Sequence, residues 1–358
     1  MVSAVCRQIN YKDRSLVSFW RSGNEHRMKI HHPGETRELT SLGKVEFNDD
    51  ETEIETISKG GYIEYRINDS ILFAESNYHG EILYRLNIEG EEIPPNNFSR
   101  NFITRSVKEM ISHGFDAEGR MQRIYEKGGI SLMLQEVEKI KSQHIRSMYF
   151  DYMLSVKILS PREVNRVMNS FAVNIDADHE KANLLKKVEA KYFDDPSIVL
   201  NYFQAIEHID AEHEKVKTLK NSFEHHLTNA QIVQVYEIVS LLQSDHEKTN
   251  LIAQLIDKGM IAEAVQEKLF YAIRSINAEH EKINLFKKLV GKNFTAEKPW
   301  LDLIHETAQL HSDHEKTNLL VLIAQRMPQT EQSKAAYMLV SKSIQPGPEY
   351  DRVVKALQ

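Results

Sequence analysis

The stretch Asp178-His179-Glu180-Lys181 returns four times, as Glu212-His213-Glu214-Lys215, Asp245-His246-Glu247-Lys248, Glu279-His280-Glu281-Lys282 and Asp313-His314-Glu315-Lys316. Successive histidines stand 34, 33, 34 and 34 residues apart, a period that marks stacked supersecondary units. Weaker copies bracket the five: Gln143-His144-Ile145-Arg146 before them and Glu349-Tyr350-Asp351-Arg352 after them. About seven units therefore occupy the chain from about residue 115 to its end, with degenerate outer copies of the kind that cap repeat arrays.

Apolar residues recur four, seven and eleven positions before each histidine, as Ile209, Ile206 and Tyr202 do before His213, which is the spacing of one helix face. After the motif, pairs such as Leu184-Leu185 and Leu251-Ile252 open the buried stripe of a second helix. The motif itself reads as a helix start. Ser244 with Glu247 and Ser312 with Glu315 have capping-box spacing. Where Ala177, Ala211 or Ala278 stands instead, Asp176, Asp210 or Asn277 is expected to supply the N-cap oxygen one residue earlier. The acidic residue before each histidine complements the positive end of the helix dipole, and the motif lysine reads as exposed. Helix pairs of this length stack into an α-solenoid about 60–70 Å long. It is HEAT-like rather than tetratricopeptide-like, because the Trp/Leu-Gly/Tyr signature of the latter is missing.

Residues 15–93 alternate instead with period two, through Val45 and Phe47, Ile63 and Tyr65, Ile71 and Phe73, and Ile82, Tyr84 and Leu86, with turns at Asn48-Asp49-Asp50, Lys59-Gly60-Gly61 and Asn77 to Gly80. This predicts an antiparallel meander of about six to eight short strands with one face solvated by Glu46, Glu53, Glu55 and Glu64. Pro94-Pro95 closes it, and Gly128-Gly129 separates the first helix pair. The expected fold class is α+β: an antiparallel β-rich module over residues 1–97, then a HEAT/TPR-like α-solenoid over residues 98–358 with a bridging helix at 98–112.

Gly43-Lys44-Val45-Glu46-Phe47, Asp49-Asp50, Ile57-Ser58 and Gly60-Gly61-Tyr62, followed by Ile124 to Ile130 and the Asp-His-Glu-Lys repeats, carry a resemblance. Over residues 43–358 the chain is similar to a group of uncharacterised bacterial proteins in which a small β-rich module precedes helical repeats written roughly Ile-x-Ser-Asp-Tyr-Glu-Lys/Arg. Some of those proteins carry envelope-associated or signalling modules. The resemblance implies the same architecture and brings no catalytic residue; His stands here where Tyr is frequent there.

At 358 residues, with 41% apolar and 27% charged side chains, the chain can bury a large core without staples. Cys6 is the single cysteine, so neither an internal disulfide nor a cysteine zinc site is available, as in a reducing compartment. Residues 1–34 carry six basic and two acidic side chains (+4), residues 35–98 five and fifteen (−10), and the remainder 34 and 35 (−1), which sums to −7. The repeat region is thus neutral and offers no basic stripe for nucleic acid. No run approaches the roughly 18–20 apolar residues of a membrane span. A cytoplasmic location is expected, or a periplasmic one if a leader has been removed.

Recurrent His-Glu suggests a zinc protease, but that site needs His-Glu-x-x-His, and Asn183, Lys217, Asn250, Asn284 and Asn318 occupy the last position. Histidines one repeat apart lie about 10 Å from each other by helix spacing, too far to share a metal. No metal, cofactor or catalytic set is therefore nominated. The candidate interaction column is His179, His213, His246, His280 and His314 with Asn183, Asn250, Asn284 and Asn318. It either packs in the grooves between helix pairs, the favoured expectation because Tyr350 replaces His in the last copy, or is exposed and reads a peptide backbone. His31-His32 and His225-His226 are not expected to share a ligand, and Trp20 and Trp300 read as core. The expected function is a non-catalytic scaffold that binds a protein or peptide. The alternative is a ligand-sensing or enzyme-accessory protein whose β module binds a ligand and whose helices relay it; a deep pocket with titratable groups between the β module and the first repeat would favour it.

Overall fold

The computed structural model describes residues 5–10, 16–32, 35–48, 50–140, 142–156, 159–292 and 294–357, with residues 5–10, 16–21 and 32 described by their backbone alone. The side chains of Cys6, Phe19, Trp20 and His32 lie outside what is described. The described chain is α+β, an antiparallel sheet followed by fifteen α-helices. It divides into two compact units, Met1–Leu184 and Leu185–Gln358.

In the first unit eight strands form one antiparallel sheet in the order β1 (Val5–Asn10), β2 (Leu16–Ser22), β3 (Glu25–His32), β4 (Glu35–Leu42), β7 (Tyr62–Ile67), β8 (Ser70–Ser76), β9 (Ile82–Ile88), β10 (Glu91–Ile93). The strands β5 (Val45–Phe47) and β6 (Ile54–Ile57) leave this order and pair with each other, with a register shift at Glu46/Phe47. The sheet thus begins earlier than the alternation suggests, because Val5–Asn10 is short and mostly polar. Its core is a row of directly paired residues, Met28↔Leu39, Leu39↔Tyr65, Tyr65↔Leu72 and Leu72↔Leu86, each at most 3% exposed. The period-two pattern placed these side chains on one face. Val107, Met110 and Ile111 of α1 (Asn97–Ser112) join the same core. Asn96 caps α1 with a reciprocal capping box to Ser99. In α2 (Ala117–Lys139) the backbone at Gly129 (φ 57°, ψ −154°) leaves the helix, a conformation open in practice only to glycine. The expected break at Gly128-Gly129 is this kink. The unit continues through α3 (Gln143–Ser155), α4 (Pro161–Asn174) and the start of α5 (Asp178–Tyr192).

In the second unit, α7 (Glu212–Ser222), α9 (Asp245–Asp257), α11 (Glu279–Val290) and α13 (Asp313–Ala324) each begin on the acidic residue of the motif. Their partners are α6 (Pro196–Glu207), α8 (Asn229–Ser240), α10 (Gln266–Arg274) and α12 (Lys298–Ala308), and α14 (Glu331–Ser341) with α15 (Pro348–Ala356) close the series. Contacts run within each layer, α6 to α8 to α10 and α7 to α9 to α11 to α13 to α15, which makes this a helical-repeat region. Ile209, Leu242, Ile276 and Leu310, four residues before each histidine, are buried, as are Leu219, Leu251, Leu285 and Leu319 after it.

The helix starts are capped differently from the expectation. Ser244 Oγ accepts from Glu247 N (3.2 Å) and Ser312 Oγ from Glu315 N (3.3 Å). The backbone N–H groups of both serines are turned to the preceding repeat instead of to their own glutamates: Ser244 N donates to Glu212 (3.0 Å) and Ser312 N to Glu279 (3.3 Å). Ala211 and Ala278 are themselves the N-caps and have no side-chain cap bond, so at Ala278 the expected shift of the cap to Asn277 is not what forms. At Ala278 the oxygen comes from the previous repeat, where Asp245 Oδ2 accepts from Asn277 N (2.9 Å) and Ala278 N (2.8 Å). Asp313 likewise accepts from Gln345 N (3.1 Å), and Gln143, in the degenerate copy, from Asp176 N (3.1 Å). A long reach to the next loop thus replaces the local one. Because Ser244 and Ser312 still bond their N3 amides, Ser244→Ala and Ser312→Ala should each cost about 1 kcal/mol in denaturant melts. Unchanged midpoints for both would remove this capping role.

Candidate functional site

Helical geometry assigns each motif residue its direction. Successive residues turn by about 100°, so the lysine two places after the histidine points to the opposite side of the helix. That side also carries the Leu pair five and six places on, and it is the buried one. Lys181, Lys248 and Lys316 are accordingly buried, at 6%, 5% and 8% exposure, which corrects the expectation of an exposed lysine. Lys248 Nζ donates to Ser275 O (2.7 Å) at the end of α10. Arg146, in the lysine position of the degenerate copy, donates to Asn174 O (3.2 Å) at the end of α4. In the Asp245–Lys248 copy acid and lysine therefore both hold the loop that leads into the next, whereas Lys215 Nζ donates to Glu207 O (3.4 Å) at the end of the preceding helix.

The same geometry turns the histidines outward. The side chains of His179, His213, His246, His280 and His314 are 66%, 80%, 73%, 78% and 64% exposed, so the packed arrangement favoured from the sequence is not what forms. Asn183 and Asn284 are exposed and Asn250 and Asn318 half-buried on the same helix face. In the second unit Asn250 Nδ2 donates to His246 Nε2 and Asn318 Nδ2 to His314 Nε2, both at 3.0 Å. His314 Nδ1 lies 3.0 Å from Glu349, and Asn318 Oδ1 accepts from Arg352 (3.1 Å). Glu281 stands between two imidazoles, 3.7 Å from His246 and 3.8 Å from His280. His213, His246, His280 and His314 thus recur on equivalent faces of successive helices, while His179 and Asn183 belong to the first unit.

The other singled-out residues are structural. His225 turns in, with Nε2 3.0 Å from Glu189 and its ring 4.6 Å from Phe193, whereas His226 is exposed. His31 is exposed, with Nδ1 3.2 Å from Thr36 Oγ1. Trp300 is buried and donates from Nε1 to Phe294 O (3.3 Å).

Two features of the first unit have no sequence motif. Arg120, 6% exposed, donates from Nη1 to Glu136 (2.7 Å) and to Tyr149 OH (3.2 Å), and its other terminal nitrogen pairs with Glu51. Burial pushes the Glu136 carboxyl up, but Arg120 and Lys139 outweigh it and hold the group below the usual carboxylate range. Beside this cluster a cleft of about 700 Å³ lies between the strands and the first helices. Buried Met28, Leu39 and Val45 line it together with Phe115 and Met148; His26, Lys44 and Ser58 come from the strand side, Asp116 and Glu118 from the start of α2, and His144 from α3. Asp116 sits in the left-handed region (φ 53°), with Oδ2 2.7 Å from Arg123. Burial raises its carboxyl above the ordinary value against the pull of Arg123.

Among the described residues, no group of three or more His, Cys, Asp or Glu is placed to hold a metal ion, and no helix is long and apolar enough to cross a membrane. Comparison with family models and with curated proteins finds no match to this chain.

Proposed function

We propose that this α+β repeat protein is a non-catalytic scaffold that binds a protein or peptide along the His/Asn face of its motif helices. The observation that carries the reading is the exposure of the imidazoles beside clamp residues that face inward. Motif acids and buried lysines hold the fold, while the outward histidines, in contact with Glu281 and Glu349 on one side, keep most of each ring exposed. The Asn250 amide bonded to an imidazole keeps a hydrogen and its oxygen for a peptide group, and Asn318, whose oxygen accepts from Arg352, keeps a hydrogen. Neighbouring repeats lie about 10 Å apart, close to three residues of extended chain at about 3.3 Å each, so one backbone contact every third residue fits. As part of the same reading we place the protein in the cytoplasm.

Selection from a displayed library of extended peptides tests this. Binders should show a three-residue period, and replacing both His246 and His280 with Gln should weaken them at least about tenfold with an unchanged melting curve. Peptides that bind the double variant as tightly as the parent, or a variant that unfolds, would leave these histidines without a recognition role.

A further inference from the structure

We propose that the cleft of the first unit binds an uncharged small molecule with an apolar body and a carbonyl or hydroxyl group. Its volume of about 700 Å³ lies within the roughly 300–1,000 Å³ of ligand pockets. Phe115 and Met148 stand half-buried in its wall, beside the buried Val45, Ala117 and Ile145. Phe115 is held by an edge-to-face contact with Phe47 (5.8 Å), and an unbranched methionine adapts to the outline of an apolar ligand. The inference is independent of the peptide-binding face.

The charges in the wall select against an ion of either sign. Arg27 and Lys44 balance Asp116 and Glu118. Arg27 lies 2.8 Å from Glu25, Lys44 2.7 Å from Glu46 and Asp116 2.7 Å from Arg123, while Glu118 is exposed to water. His26 and His144 hold partners of their own. An ion that entered would give up its hydration and meet only charges that are already paired or solvated. An uncharged body gives up little and covers the apolar wall. Neutral hydrogen-bonding groups remain for its polar end. Ser58 Oγ accepts from Lys44 N (3.0 Å) and keeps its hydrogen, and the Asn24 side chain is exposed beside it in the lining.

Displacement of a fluorescent uncharged probe, N-phenyl-1-naphthylamine, from the full chain tests this. With all competitors below their aggregation limits, 1-decanol should displace the probe at a concentration at least about tenfold lower than decanoate or decylammonium, which share its hydrocarbon chain and differ in charge. A spectrum of the parent with labelled methionine methyl groups locates the site. Decanol should move the Met28 and Met148 resonances and leave those of Met327 and Met338, in the second unit, in place. Met148→Trp, which fills the cleft, should weaken the probe at least about tenfold; if that variant does not fold, the methyl spectrum of the parent decides. Absence of probe binding would overturn the proposal. So would displacement by the ions as readily as by decanol, full affinity in a folded Met148→Trp variant, or binding that leaves the Met28 and Met148 resonances unmoved.

Discussion

Arg120→Ala is expected to lower the stability of the Met1–Leu184 unit by roughly 3–5 kcal/mol, the cost of leaving a buried charge without its partner. Arg120 and Glu136 are both 6% exposed, so water cannot replace the lost guanidinium. The pH dependence should change sign with the substitution. In the parent, Arg120 holds the Glu136 carboxyl below its ordinary value. The unfolded chain then binds that proton more readily, and the contribution is full above the unfolded value near ~4.3 and fades as pH falls through the depressed one. Without Arg120, only the largely exposed Lys139 ammonium still opposes burial, which then prevails and raises the carboxyl. The folded state then binds the proton more readily, so the variant gains stability on acidification and loses it as pH rises. Denaturant melts between about pH 4 and 8 read both slopes. A variant that tracks the parent at every pH would show that Arg120 and Glu136 are not coupled. Replacing both with Met and Leu should recover most of the loss.

Lys248→Ala is expected to cost about 2–3 kcal/mol, because a charge-assisted bond to Ser275 O (2.7 Å) and the packed stem disappear together. Lys217→Ala, on the exposed side of the equivalent helix, should change stability by less than about 0.5 kcal/mol. Lys248→Met keeps the stem and should retain part of the difference. The melting of helical circular dichroism measures all three. Equal midpoints for Lys248→Ala and Lys217→Ala would mean that the lysine clamp does not hold the repeats.

The repeat and the buried rows were legible because each rests on a short-range pattern: offsets of four, seven and eleven for the helices, alternation for the row from Met28 to Leu86. The outward direction of the histidines was legible too. Lys181 shares a helix side with Leu184 and Leu185, and His179 stands about 200° from it; substitution by Tyr in the last copy carried less information than this angle. The acid clamp was not legible, since Asp245 bonds backbone amides 32 and 33 residues away, and a backbone amide has no sequence signature. The cleft escaped for a related reason: its lining comes from residues 24–58, 114–119 and 144–148, brought together by packing that no local period encodes.

The acid that holds the next loop stands among the four residues that begin the helix at Glu212, Asp245, Glu279 and Asp313, so each of these copies carries its own half of the joint. A whole copy can therefore be inserted or deleted with the joints on either side remade from identical parts. The joint accepts a one-residue change: Glu212 reaches Gln243 N and Ser244 N, 31 and 32 residues on, where Asp245 reaches 32 and 33. Growth by whole units is the change such a joint favours, and the spacings of 34, 33, 34 and 34 residues between the histidines keep within one residue of it.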